Sequence, residues 1–377
     1  MCVDPEDIKE IVHNQCVDSD TGLPQSTPAM ANPRTQAIKP AMRIPTILTS
    51  LLLSLGAFTG TAMLSAADAP EFKIGLILSG SATDGGWNQL AKDGLDRIKD
   101  KLHAEISLIQ KVSGDKAGDV MRDFAADKCN LIIAHGYEFL DPATEASKGA
   151  PATRIAVSGA DVAKPGIATV DFDLSQASYL MGIAAARVSH TGKLGFIGGE
   201  KFPSVTACYR GFLAGAKSVR PDVTVAEAYT SWDQPALSKS QAESFFGQGI
   251  DVVYHDVDSA SRGIFEAVQE HDAVKDAAKV WAIGSCADQN DNKICADAMI
   301  GSAVIRLDHA FEKLAMEVKD GKFAEGVRTE NLASGTCVAV LNPALIGKDI
   351  PAAVADEVKA AEAKLIAGTL TIPPATP

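Results

Sequence analysis

From Phe72 onward the chain alternates short runs of apolar, β-prone residues with stretches whose apolar positions recur about every 3.6 residues. That alternation admits few architectures, because strands and helices in strict turn build a parallel sheet covered by helices. The runs predict strands over 72–79, 105–112, 130–135, 153–158, 193–198, 223–230, 250–255 and 279–284. After the first of them, Ala91, Leu95, Ile98 and Leu102 form one stripe, with Lys92, Asp96, Lys99 and Asp100 outside it. This is an amphipathic helix.

The alternation restarts at Ser189-His190-Thr191-Gly192, after a long apolar helix from Tyr179 to Val188 and before the strand K-L-G-F-I-G-G. With 377 residues available, two α/β lobes fit the usual domain size better than one core. The first lobe is expected over 71–188 plus about 299–322, the second over 189–298 plus about 323–377, and the hinge crossovers near 172–190, 296–303 and 320–330. A cleft between the carboxyl ends of the two sheets is then the expected ligand site.

A formal charge of −13 argues against nucleic acid or an anionic membrane surface as a partner, since both attract clustered Lys and Arg. A neutral or weakly polar small molecule fits better, and a monomer is expected. Met42-Arg43, the apolar stretch Ile44 to Phe58 and the small residues Ser65-Ala66-Ala67 read as a secretory signal peptide over 42–67, cut near Ala67. Residues 1–41 are polar and aperiodic, a disordered leader or a mis-assigned start. No cysteine follows the apolar stretch directly, so a freely soluble periplasmic protein is expected rather than a lipid-anchored one. Export permits disulfides; Cys286 and Cys295 flank the loop A-D-Q-N-D-N-K-I and are the first choice for a pair among Cys129, Cys208, Cys286, Cys295 and Cys337. All five being small buried apolar residues is the alternative.

The stretch S-G-S-A-T-D-G-G-W-N-Q, residues 79–89, forms the first βα turn, where ligands of open α/β sheets sit. It is not a phosphate loop: Trp87 stands where Gly-Lys-Ser/Thr is needed, and Asp84 would repel a phosphate. Asp84 as a helix cap, Gly85-Gly86 as the turn and Trp87 as a packing staple give the plainer reading. An indole beside the amide of Asn88 also offers a planar heterocycle a face to stack on and groups to read its edge.

This turn, G-Y-E-F at 136–139, Y-L-M-G-I-A-A at 179–185, T-G-K-L-G-F-I-G-G at 191–199, G-F-L-A-G-A at 211–216 and W-A-I-G-x-x-A-D-Q at 281–289 together resemble the basic membrane protein family. Its members are substrate-binding proteins of ABC transporters related to purine nucleoside receptors. The resemblance spans nearly the whole exported part, in order. It implies a type I periplasmic-binding-protein fold that closes on a purine nucleoside or base and presents the loaded state to an inner-membrane permease, with no cofactor.

In the first lobe the resemblance points to Asp84, Trp87 and Asn88, then Tyr137 after I-I-A-H-G, and Asp161 in V-S-G-A-D. In the second lobe Phe202, Cys208, Tyr209, Trp232, Asp233, Asp256 and Asp258 are the candidates, with Trp232 best suited to complete an aromatic sandwich. Two departures stand out. Nucleoside-holding relatives carry G-V-D-x-D-Q, whose first acid grips ribose hydroxyls, and a lysine in S-x-V-K. Here G-S-C-A-D-Q places Cys286 at that acid, two residues before Asp288, and G-S-A-V-I-R-L-D places Arg306 at or near the lysine. A thiol is a poor substitute in a charge-assisted diol clamp, so a free nucleobase is favoured over a nucleoside. Arg306 either reads ligand carbonyls or pairs with Asp288 or Asp308.

An enzyme acting on a purine nucleoside is a second hypothesis, resting on His135 near Tyr137 and on His255 beside Asp256 and Asp258. The seven His show no H-E-x-x-H spacing, and no G-x-S-x-G elbow occurs. A periplasmic sensor domain is the third hypothesis.

Overall fold

The computed structural model describes residues 72–372. The leader over 1–41 and the signal segment over 42–67 lie outside the described residues. Strands β1 (Phe72–Leu78), β2 (Ala104–Ile109), β3 (Leu131–His135), β4 (Arg154–Ser158) and β5 (Ala168–Phe172) come first, then β6 (Lys193–Gly198), β7 (Thr224–Tyr229), β8 (Val252–Asp256), β9 (Trp281–Cys286), β10 (Met299–Ile305), β11 (Gly326–Glu330) and β12 (Cys337–Leu341). Helices α1 (Trp87–Leu102), α2 (Gly114–Ala126), α3 (Leu140–Gly149), α4 (Ser175–Val188) and α5 (Pro203–Val219) are followed by α6 (Pro235–Gly247), α7 (Ser261–Asp272), α8 (Leu307–Lys319) and α9 (Ala352–Ile366).

Two six-stranded sheets result, ordered β11-β5-β4-β3-β1-β2 and β12-β10-β9-β8-β6-β7. All pairs in the first are parallel, and the second departs only where β12 runs antiparallel to β10. Strands buried on both faces should be apolar throughout rather than alternating. Ile74, Leu76, Ile77 and Leu78 of β1 and Leu131, Ile132, Ile133 and Ala134 of β3 are accordingly fully buried. Every strand expected from the sequence is present within three residues of its expected ends.

The lobe boundaries differ from those expected. α4 lies against α5 of the second lobe, so the first crossover is at 173–174, not at the end of α4. The segment 299–322 was expected to return to the first lobe, yet its strand β10 pairs with β9 and β12 in the second sheet. Only α8 returns: the backbone of Leu307 and Asp308 lies against Gly94 of α1, and Lys319 Nζ donates to the Leu102 carbonyl at 3.2 Å. β11 then joins the first sheet beside β5, although 323–377 was expected in the second lobe. The second and third crossovers therefore fall at Arg306 and at 331–336. Periodicity identifies an element but not the sheet it joins, which long-range pairing decides.

The three crossovers are bound to one another. Asp173 N–H donates to Glu330 O at 2.9 Å, Arg306 N–H to Thr336 O at 2.7 Å, and Thr336 Oγ1 to Glu330 Oε2 at 2.9 Å. The G-F-L-A-G-A and Y-L-M-G-I-A-A stretches have a packing role. A Cβ at Gly215 would stand 1.9 Å from Tyr179 O, and one at Gly182 would stand 2.1 Å from Phe212 O, so glycine lets the α4 and α5 backbones touch.

The expected Cys286–Cys295 disulfide is not formed, and Cys129, Cys208, Cys286, Cys295 and Cys337 are all free. Cys295 is buried in the core, whereas Cys286 ends β9 with its sulfur beside Ser285 and Asp256. The loop is instead closed by Asn292, whose Oδ1 accepts the N–H of Ile294 and Cys295.

Candidate functional site

The first βα turn is built around one carboxylate. Asp84 Oδ1 accepts the N–H groups of Gly86 (2.9 Å) and Gln89 (3.0 Å), while Oδ2 accepts the N–H (3.1 Å) and the side-chain Nδ2 (2.8 Å) of Asn88. These bonds satisfy donors that a helix start leaves open. Buried Asn88 also accepts the Gly80 N–H through Oδ1 at 3.1 Å, tying the turn to the end of β1. Asp84 and Asn88, both expected to read a ligand, are thus occupied within the turn: four hydrogen bonds fill the acceptor capacity of a carboxylate.

Their arrangement fixes Trp87. Its indole stacks on the His135 imidazole at 3.9 Å between centroids and 23° between planes, with Phe172 edge-on at 5.8 Å. Gly159 lies against the edge of the ring, where a Cβ would stand 3.0 Å from Cζ2. His135, at the end of β3, is fully buried; Nε2 lies 3.1 Å from the Trp87 carbonyl and Nδ1 2.8 Å from Ser158 Oγ. A carbonyl only accepts, so Nε2 carries the proton and Nδ1 accepts from the Ser158 hydroxyl. Burial pushes the imidazole down to about 3, against the raising effect of the Trp87 carbonyl, so the ring stays neutral. The backing role of His135 was not legible in the sequence, where it stood only as a catalytic candidate.

The second lobe meets this turn at Asp258. Its Oδ1 accepts the Trp87 N–H at 2.9 Å, across the two lobes. Gly86 is needed there, because a Cβ would stand 2.3 Å from that oxygen. Burial lifts the Asp258 carboxyl to about 7; the Trp87 N–H opposes the rise, and Asp84, Asp256 and Asp233 add to it. Asp256 is buried at the end of β8 and accepts the Ser285 hydroxyl at 3.0 Å, with the Cys286 sulfur 4.0 Å away. Cys286 itself has φ +63°, a left-handed conformation that a non-glycine residue adopts at a cost. Burial, with Asp256 and Asp258 nearby, holds its thiol well above the usual range.

Trp232 follows β7 and packs over Gly199, with Phe202 tilted against it at 6.0 Å and half exposed. Tyr137 is also exposed, in the turn after β3. Other expected site residues are not brought to the Trp87–Asp258 contact. Asp161 and Asp288 are exposed, the latter accepting the Asn290 N–H. Tyr209 packs on Phe196 and donates to Val225 O, on the core side of α5, and Cys208 is buried. Arg306 pairs with Asp308 at 3.7 Å, one of the two partners foreseen, and Asp308 is shared with Arg97 at 3.3 Å. Two surface cavities, of about 400 and 490 Å³, lie away from this contact, one beside Gln176 and Arg210 and the other beside Leu95 and Gln110. The Trp87–Asp258 contact, where the carboxyl ends of both sheets meet, is the better placed for a ligand of this fold.

A family model described as ABC transporter substrate-binding protein PnrA-like matches residues 72–332. The chain belongs to this family. The ABC transporter nucleoside-binding protein BmpA of Lactococcus lactis subsp. cremoris is 30% identical over 255 residues, which cover 64% of this chain and 71% of that protein. Basic membrane protein A2 of Borrelia garinii subsp. bavariensis is 26% identical over 310 residues, covering 80% and 88%. Among solved structures, an ABC transporter solute-binding protein from Aeropyrum pernix K1 superposes with a TM-score of 0.70 at 21% identity, over 81% of this chain and 94% of its own. The fold is that of the periplasmic binding proteins, with two parallel-sheet domains. As a substrate-binding protein of this family the chain takes a small molecule and works with a permease. Among the described residues no helix is long and apolar enough to cross a membrane, and no group of three or more His, Cys, Asp or Glu could hold a metal ion.

Proposed function

We propose that this chain is the exported, periplasmic binding component of an ABC importer, acts as a monomer, and holds a purine-like heterocycle between its lobes, a free nucleobase in preference to a nucleoside. The observation that carries the reading is the Trp87 ring, backed on one face by His135 and set at the contact between the lobes. A partly exposed indole held this way is a stacking platform for a flat ring. Trp232 and Phe202, across the cleft, supply aromatic surface for the other side. Closure then satisfies groups of both lobes at once, and that differential contact marks the loaded state for the permease.

The preference for a base rests on Cys286. Where nucleoside-holding relatives carry an acid, a neutral, partly buried thiol offers ribose hydroxyls no charge-assisted partner. A binding role rather than catalysis also suits the two strand-end histidines: His135 backs Trp87, and His255 donates to Gln289 Oε1 at 2.8 Å with its ring pushed down to about 4 by burial. One observation favours a sensor as a second reading. The transcriptional activator protein med of Bacillus subtilis is 24% identical over 290 residues, covering 76% of this chain and 87% of that protein.

Calorimetry of the purified protein with adenine, hypoxanthine, xanthine, urate and their ribosides tests the proposal. A base should bind more tightly than its riboside. Tight binding of a riboside with none of the bases binding would overturn it, and base release from a riboside would show an enzyme.

A further inference from the structure

Resting on that reading of the cleft, we infer that the site selects a purine base that presents hydrogen-bond donors, an amino-substituted purine, over oxopurines and anionic bases. The inference comes from what meets the ligand beside Trp87. Asp258 uses one oxygen on the Trp87 N–H, and its other oxygen has no hydrogen-bond partner among the described residues. The charged groups that act on it are Asp84 from the first βα turn, Asp256 from the end of β8 and Asp233 from the segment after β7. All are acids, and among the described residues none of these four carboxylates lies within ion-pair distance of a Lys or Arg.

The cations that could have balanced them are committed elsewhere. Arg306 pairs with Asp308, and Lys201 pairs with Glu227 at 3.3 Å. The neighbouring hydroxyl of Ser285 is spent on Asp256. The second-lobe wall therefore offers lone pairs and few free donors, so the ligand edge facing it has to donate. At pH 8, above the Asp258 titration near 7, the carboxylate is ionised: an exocyclic amino group meets its open oxygen with a charge-assisted hydrogen bond, whereas a ring carbonyl there sets two acceptors against each other. A base that is anionic at neutral pH meets an uncompensated field of its own sign.

Calorimetric titration at pH 8 with 2,6-diaminopurine, adenine, hypoxanthine, xanthine and urate, on the wild-type chain and on Asp258→Asn, tests this. Adenine should bind at least about tenfold more tightly than hypoxanthine, the size of one hydrogen bond to a charged group. Diaminopurine should bind at least as well as adenine, and urate should not bind. In Asp258→Asn, whose amide both donates and accepts, the adenine-to-hypoxanthine ratio should fall toward one. A ratio taken within one variant is insensitive to any loss of folded protein. Equal or tighter binding of the oxopurines by the wild-type chain, or an unchanged ratio in Asp258→Asn, overturns the inference and leaves the nucleobase reading standing. Binding of none of the five bases overturns that reading, and this inference with it.

Discussion

The two walls of the cleft are built on opposite principles. On the first-lobe wall the groups that set the turn are bonded to one another: Asp84 takes four hydrogen bonds, Asn88 bridges to Gly80, and His135 is neutral with both ring nitrogens engaged. On the second-lobe wall Asp258 is desolvated, Cys286 adopts a left-handed backbone conformation, and Asp256 stands beside two thiols. A satisfied network holds one geometry, and an under-partnered one stores unfavourable energy that a ligand can relieve. On the proposed reading, the first wall positions the ring of the ligand and the second chooses among rings.

Trp87→Ala breaks the first wall most severely. Base stacking on an aromatic is worth about 1–3 kcal/mol, so adenine should bind roughly 100-fold more weakly or not detectably by calorimetry, with the circular dichroism of the fold retained. Next comes Asp258→Asn, read as stability. The folded carboxyl titrates at about 7, above its ordinary value. Its contribution to stability is therefore fully present below about pH 4, the ordinary carboxyl value, and is lost as the pH rises through 7. The amide lacks that loss, so Asp258→Asn should be the more stable protein at pH 8, by about 2 kcal/mol once partial exposure is discounted. The gap should close near pH 4 in denaturant titrations.

Asp84→Ala removes the centre of the turn and should cost about 1–2 kcal/mol of stability, the range measured for lost helix caps. It should weaken adenine binding as well, because Trp87 loses its setting, and Asp84→Asn should restore part of both. The smallest effect is expected at Arg306. Its pair with Asp308 is long and the guanidinium itself is exposed, so Arg306→Gln should change stability by less than about 0.5 kcal/mol and leave base affinity within about threefold, within the range expected of a surface substitution. A large loss of affinity there would show that the second wall does supply a donor to the ligand.

The sheets were legible in the sequence because their inner strands are continuous apolar runs flanked by amphipathic helices. β11, G-V-R-T-E, alternates polar residues at a sheet edge and gave no such signal; β12 is also an edge strand. Two inner strands, β5 (A-T-V-D-F) and β10, were not expected as strands either, and which sheet β10 joins depends on pairing with β9 and β12 rather than on its own residues. The site divides in the same way. Trp87 could be singled out because an indole at a helix entry has few structural reasons to be there. Its support from His135, 48 residues away, and its contact with Asp258, 171 residues away, exist only in the folded chain. Cys286 and Cys295 looked like a pair on spacing alone, yet spacing says nothing of where two side chains point.

A crystal structure of the protein grown with adenine tests the central claim most directly. The base should lie with its ring on the indole of Trp87 and its amino nitrogen about 3 Å from the Asp258 carboxylate, at ordinary hydrogen-bond length. Adenine found away from Trp87, or stacked there with its amino group turned from Asp258, would contradict the account.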